Sequence, residues 1–164
     1  MSIYYFDSSA LVKYYLDEPG STWVREIIDS HNERGQPLHS IYTTALTKVE
    51  VPSAIAIVRR VGRIREKLRA ELFRAFMGQA MARFQFLAVN EHTLQVAAHL
   101  TQQHPLKAYD AIHLAVALNL QTDLDQDALS LTFVCGDARL LTSAAAVGLA
   151  TDNPFLHTDL DVRP

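Results

Sequence analysis

Residues 3–16 read Ile3-Tyr4-Tyr5-Phe6-Asp7-Ser8-Ser9-Ala10-Leu11-Val12-Lys13-Tyr14-Tyr15-Leu16, and the pattern changes at Asp7. Ile3 to Phe6 is a short apolar and aromatic run, as expected of a buried strand. Ser8 and Ser9 open a helical stretch, Ala10 to Leu16, which Pro19-Gly20 closes. The same order returns near the other end of the chain. Leu131 to Cys135 reads as a strand, Asp137 follows it, and Ala138 to Val147 reads as a helix.

Between these two units strands and helices alternate. Ser21 is placed to cap a second helix running to about Asn32, with Trp23, Ile27 and Ile28 on its inner side. Leu38 to Tyr42 is expected as a second strand, Thr47 to Val61 as a helix, and Ile64 to Arg83 as a longer amphipathic helix. Phe84 to Val89 alternates as a strand does, and Asn90 can cap a helix from Glu91 to Gln103. Asp110 to Leu120 is apolar nearly all round, which suits a central buried helix. Gln121 to Ser130 is expected as a polar loop, and Gly148 to Thr151 as a final strand. Strands alternating with helices indicate an α/β fold around a mostly parallel sheet of four to five strands.

At 164 residues the chain fits one domain. The domain is expected over residues 1–155, with 156–164 as a C-terminal tail. Met1-Ser2-Ile3 and the residues after it form neither a basic n-region nor an apolar core of a secretory signal. No apolar run approaches the roughly 20 residues that span a bilayer. A single cysteine, Cys135, rules out an intramolecular disulfide and any multi-cysteine zinc site, which fits a cytoplasmic protein.

The net charge of −3 is unevenly spread. Between Arg59 and Arg83 lie eight basic residues (Arg59, Arg60, Arg63, Arg65, Lys67, Arg69, Arg74 and Arg83) against Glu66 and Glu71. The segment is therefore +6 and the remainder −9. A basic stripe on an acidic protein can contact a polyanion, although a charge run is also an ordinary solvated helix face.

Three acids share one local context. Asp7 and Asp137 each stand between a strand and a helix, and Asp110 opens the buried helix. Each is a good N-cap, and an acid there suits the helix dipole. The carboxyl ends of strands in open α/β sheets also line the ligand crevice, where Asp7 and Asp137 are expected. Glu50 is the fourth acid. It shares a helical face with Leu46, Ser53, Ala54 and Ile57, where a charge must be paired, neutralised or metal-bound. Thr47-Lys48-Val49-Glu50 also matches a capping box, which gives Glu50 an alternative role. Four converging carboxylates require a cation, and all-oxygen ligation favours Mg²⁺ or Mn²⁺. Such an ion activates water and polarises a phosphoryl oxygen, so the expected chemistry is phosphodiester hydrolysis.

These residues together resemble the PIN-domain nucleases, in particular the VapC-type toxins of toxin–antitoxin pairs. The matching residues are Tyr5-Phe6-Asp7-Ser8-Ser9-Ala10-Leu11, Glu50 in its helix, Tyr109-Asp110-Ala111-Ile112-His113-Leu114-Ala115, and Asp137-Ala138-Arg139-Leu140. They follow the family's order across nearly the whole chain. The resemblance implies a three-layer α/β/α sandwich in which Asp7, Glu50, Asp110 and Asp137 bind Mg²⁺ or Mn²⁺ and an RNA phosphodiester is cut. It implies Ser8 or Ser9 orienting a carboxylate or water, a homodimer, and a cognate antitoxin that covers the site. Arg59, Arg60, Arg63, Arg65, Lys67 and Arg69 are then expected to meet RNA phosphates. The chain departs from the pattern at Pro52, close to Glu50, and at Cys135, where many relatives carry Ser or Thr. A metal phosphohydrolase of small esters and a non-catalytic RNA- or protein-binding PIN fold are the alternatives. His113 is expected to pack against the sheet or make a structural hydrogen bond, with reach towards the cleft. Asp123, Asp125 and Asp127 fail as a calcium loop, because Ala128 and Val134 stand where Gly and Glu are needed.

Overall fold

A computed structural model describes residues 2–162. Its elements are β1 (Ser2–Phe6), α1 (Ser8–Tyr15), α2 (Ser21–Ile28), β2 (His39–Thr44), α3 (Thr47–Arg60), α4 (Glu66–Arg83), β3 (Gln85–Leu87), α5 (Glu91–Gln103), α6 (Ala108–Asp125), β4 (Leu131–Val134), α7 (Ala138–Ala146) and β5 (Ala150–Asp152). A 3₁₀ segment, Pro154–Val162, follows. The five strands form one sheet in the order β3-β2-β1-β4-β5, with every pairing parallel. Helices cover both faces, as the sequence leads one to expect of a three-layer α/β/α fold.

The period-two alternation of the central strands explains the two cores. On one face Tyr5, Leu131 and Phe133 pack with Leu100, Leu114 and Leu140 from α5, α6 and α7. On the other, Phe6, Ile41 and Val134 pack with Leu11, Val24, Val51, Ile55 and Phe76 from α1 to α4. The chain departs from β1 outwards to β2 and β3, then returns to the other side as β4 and β5. The switch point therefore lies between β1 and β4, and the crevice opens beyond their carboxyl ends.

Several boundaries differ from expectation for identifiable reasons. Ser21 does not cap α2: its hydroxyl accepts from Glu18 N–H and donates to the Leu16 carbonyl, while left-handed Gly20 precedes the helix. The helix ends at Ile28 rather than near Asn32. Trp23 packs against the core as expected, and also stacks on the His157 ring at 4.2 Å. The expected loop from Gln121 begins as helix, because α6 continues to Asp125. Leu124 packs on the core there, and Gln121 bonds Asp125 one turn on and the Leu131 amide of β4. Asn90 caps α5 as expected, accepting from Thr93 N–H at 2.9 Å.

The 3₁₀ segment lies along α2. Asp161 accepts hydrogen bonds from the Gly20 and Thr22 amides, at 2.6 and 3.1 Å. Phe155 sits over the buried Lys13 ammonium, 4.0 Å from ring centroid to nitrogen.

Candidate active site

Asp7 ends β1 and begins α1. Its amide completes the ladder to the Val134 carbonyl, and its Oδ1 accepts from Ala10 N–H at 2.8 Å, so it is the N-cap of α1. Capping leaves the carboxylate buried, 5% exposed, beyond the end of the sheet. Ser9 donates its hydroxyl to the same carboxylate, 2.8 Å from Oδ1. Cys135 Sγ stands 3.0 Å from Oδ2. Burial pushes the Asp7 carboxyl above its ordinary value. The charge of His113 and the hydrogen bonds from Cys135, Ala10 and Ser9 offset this in part.

Ser9 and Cys135 tie this acid to the end of β4. Gly136 N–H donates to Ser9 Oγ at 2.9 Å, and Asp137 N–H points at Cys135 Sγ, 3.1 Å away. Gly136 carries no side chain where the chain needs that approach: a Cβ there would lie 3.3 Å from Ser9 Oγ and 3.2 Å from the Phe155 ring. Asp137 Oδ1 accepts from Arg139 and Leu140 N–H, capping α7. Cys135, where the sequence departs from the family's pattern, is fully buried, and its thiol joins both strand ends. Burial and the Asp7 carboxylate push that thiol up, so it remains S–H.

Glu50 lies in the first turn of α3, on a helix that accommodates Pro52 in its interior. The capping box does not form. Leu46, not Thr47, precedes the helix, and the Thr47 hydroxyl bonds Thr43 Oγ1 at 2.7 Å instead. Glu50 instead reaches across the crevice to His113, with 2.8 Å between Oε2 and Nε2. The other ring nitrogen of His113 meets the Tyr5 hydroxyl at 3.1 Å. Burial, and after it the charges of Asp7 and Glu50, push the Tyr5 phenol well above its ordinary value, so it stays protonated. Asp110 is half-buried in the first turn of α6, one turn before His113 and so on the same helical face. Tyr109 and Glu50 share an open groove of about 480 Å³ with Leu46, Val49, Ser53, Ala54 and Ile57.

Asp7, Glu50 and the capping Asp137 thus come to the carboxyl end of the sheet, with Asp110 one turn from His113. Among the described residues, no three His, Cys, Asp or Glu side chains stand close enough to form a ready metal cage. The donor set at this end of the sheet is carboxylate oxygen, the chemistry of a hard divalent cation whose shell is completed by water and substrate phosphates. A buried carboxylate with no lysine or arginine bridging it, among the described residues, also suits a cation. Ser8 is half-buried at the start of α1, and of the two serines it is Ser9 that engages Asp7. Tyr5 was not singled out by sequence. A tyrosine inside a buried strand needs a partner for its hydroxyl, and that is the signal that could have found it.

The family model described as the PIN domain matches residues 4–134, four-fifths of the chain. The chain belongs to the PIN domain family. The match takes in three of the four acids and ends before Asp137. The chain is 28% identical over 150 residues to Ribonuclease VapC47 of Mycobacterium tuberculosis (strain CDC 1551 / Oshkosh), covering 92% of this PIN domain chain and 96% of that protein. It is 29% identical over 159 residues to Ribonuclease VapC46 of Mycobacterium tuberculosis (strain ATCC 25618 / H37Rv), covering 94% and 99%. Both alignments thus span the PIN domain almost end to end. Among solved structures, a toxin-antitoxin complex from Klebsiella pneumoniae aligns with a TM-score of 0.49 at 14% identity, over 92% of this chain and 97% of that one.

Proposed function

We propose that this PIN domain is a divalent-metal-dependent endoribonuclease and the toxin of a VapC-type toxin–antitoxin pair. The observation that carries the reading is the buried Asp7 carboxylate at the sheet's switch point, beside the Glu50–His113 pair and tied to Asp137. Full-length similarity to two proteins named as ribonucleases supports RNA as the substrate.

Asp7, Glu50, Asp110 and Asp137 would hold Mg²⁺ or Mn²⁺, directly or through water. When bound, the ion activates water and stabilises charge on the phosphoryl oxygens. The chain's own residues fix the frame for that chemistry. Ala10 N–H, Ser9 and Cys135 hold the Asp7 oxygens. His113 holds Glu50, and the α7 amides hold Asp137. The mostly apolar groove around Glu50 and Tyr109 would seat an antitoxin segment against Glu50. A homodimer in the cytoplasm completes the proposal. No helix among the described residues is long and apolar enough to cross a membrane.

The test is an assay of purified protein on structured RNA and on small phosphate esters, with Mg²⁺, with Mn²⁺ and with EDTA. Internal RNA cleavage that EDTA abolishes and either metal restores is expected. Cleavage of esters alone would instead favour a small-molecule phosphohydrolase, and cleavage undiminished by EDTA would refute metal dependence.

The basic stripe divides into two parts. Arg59 and Arg69 both pair with Glu66, at 3.4 and 2.6 Å, so their charges are partly spent within the protein. Arg60, Arg63 and Arg65 lie exposed at the α3–α4 turn. Replacing these three by glutamine is expected to raise the KM for RNA several-fold and to flatten its salt dependence. The log–log slope should fall by about 0.7 for each single-strand phosphate that the variant no longer neutralises. An unchanged slope assigns the stripe to an ordinary solvated face.

A further inference from the structure

We propose that His113 is a positioning residue for Glu50, aiming that carboxylate at the cation, and that Tyr5 locks the imidazole from behind. The inference deepens the metal-nuclease reading above and rests on it.

Glu50 extends from a helix face whose neighbours in the groove, Leu46, Val49, Ala54 and Ile57, are apolar. A glutamate there has freely rotating bonds, and ordering it costs side-chain entropy. His113 meets that need from across the crevice. It lies on α6, is 2% exposed, and places Nε2 2.8 Å from Oε2. The Glu50 side chain keeps 23% of its surface against 3% for His113. The carboxylate is thus fastened through Oε2 to a buried ring while the side chain keeps part of its surface open.

The hydrogen-bond logic fixes the direction. A carboxylate only accepts, so Nε2 must carry the proton and donate it to Oε2. The Tyr5 hydroxyl can give or take a proton, so it satisfies Nδ1 whichever form the ring adopts. Tyr5 is fully buried and stacked on Phe133 at 5.3 Å, so its hydroxyl is a fixed point for the ring. Ring orientation is then set by β1 and carried through α6 to α3. The same helical face of α6 presents Asp110 one turn earlier. One helix therefore supplies one acid itself and aims a second through His113. Groups that orient metal ligands typically matter 10–100-fold in metal affinity.

The test is Mn²⁺ binding to the full chain, read by the loss of the free-ion EPR signal, with far-UV circular dichroism reporting folding. The parent protein is expected to bind Mn²⁺. His113→Met, of similar bulk but no ring N–H, is expected to weaken binding by about 10–100-fold. His113→Gln, which restores an N–H at that reach, should recover most of the loss. Tyr5→Phe should weaken binding several-fold. In a Glu50→Gln background His113→Met should add no further loss, because the two act through one interaction. Unchanged affinity in both His113→Met and Tyr5→Phe overturns the proposal, and so does an equal loss with and without Glu50. Should His113→Met not fold, Tyr5→Phe keeps the ring volume and decides alone, unchanged affinity again overturning it. If the parent protein itself binds no Mn²⁺, the metal-nuclease reading fails, and the role of His113 falls with it.

Discussion

Asp7→Asn is expected to lower metal-dependent RNA cleavage by about 10³-fold or more while leaving the protein as stable as its parent, or more so. The two halves have separate causes. Removing one ionised ligand forfeits several kcal/mol of charge stabilisation at the metal, and each 1.36 kcal/mol is a factor of ten in rate. Stability should move the other way. Asparagine is as good an N-cap as aspartate, so the bond from Ala10 N–H survives. The buried charge, which burial penalises, is gone. A gain of about 1 kcal/mol appears as ~2–4 °C in Tm for a chain of this size. Metal-free thermal melts and a cleavage time course check both halves. A variant that loses activity only because it loses several kcal/mol of stability would make Asp7 a structural cap and nothing more.

The second large effect is expected at Gly20. Its φ is +85°, in the left-handed region, and a Cβ there would stand 2.2 Å from the Pro154 carbonyl oxygen. Because that obstacle is backbone, a side chain cannot swing aside to relieve it. Gly20→Ala is expected to cost about 3 kcal/mol or more, from the left-handed strain plus the collision, or a fall of ~6–12 °C in Tm. The relief is displacement of the 3₁₀ segment, which breaks the Asp161 bond to Gly20 N–H and the stacking of Trp23 on His157. Trp23 is the chain's single tryptophan, so its fluorescence reports that displacement. Gly35→Ala is the control: its φ is +72° but nothing lies within 4 Å, so only backbone strain of ~1–2 kcal/mol should register. Equal melts for the two variants would show that Pro154 does not press on Gly20.

That packing bears on residues 156–164. From sequence these residues are expected as a tail after the domain. Up to Val162 it is instead held to α2 by Asp161 and by the Trp23–His157 stack. These partners lie more than a hundred positions apart, beyond what local pattern can register.

The parallel sheet was legible because its strands are short apolar runs separated by helical periods, and because Asp7 and Asp137 mark strand ends chemically. Capping and a place at the carboxyl end of the sheet, weighed against each other in the sequence, coincide at Asp7. One carboxylate oxygen caps α1, and the group lies buried beyond the end of β1. Glu50 shows the opposite limit. Its capping box was a sound local reading, but the parallel packing of β2 places Thr43 where it takes the Thr47 hydroxyl. The partner that Glu50 takes instead is His113, 63 residues on. The end of α6 was missed for a similar reason: Asp123, Gln121 and Asp125 look like loop until Leu124 is seen packing on the core.

In the proposed site Asp7, Glu50, Asp110 and Asp137 surround a divalent cation. Anomalous diffraction at the manganese edge, from crystals of the whole chain grown with Mn²⁺, tests it most directly. A peak is expected in the crevice beyond β1 and β4, with Asp7 coordinating it and the other three carboxylates bound directly or through water. A peak held elsewhere by surface acids, with Asp7 still bonded only to Ala10, Ser9 and Cys135, would contradict it.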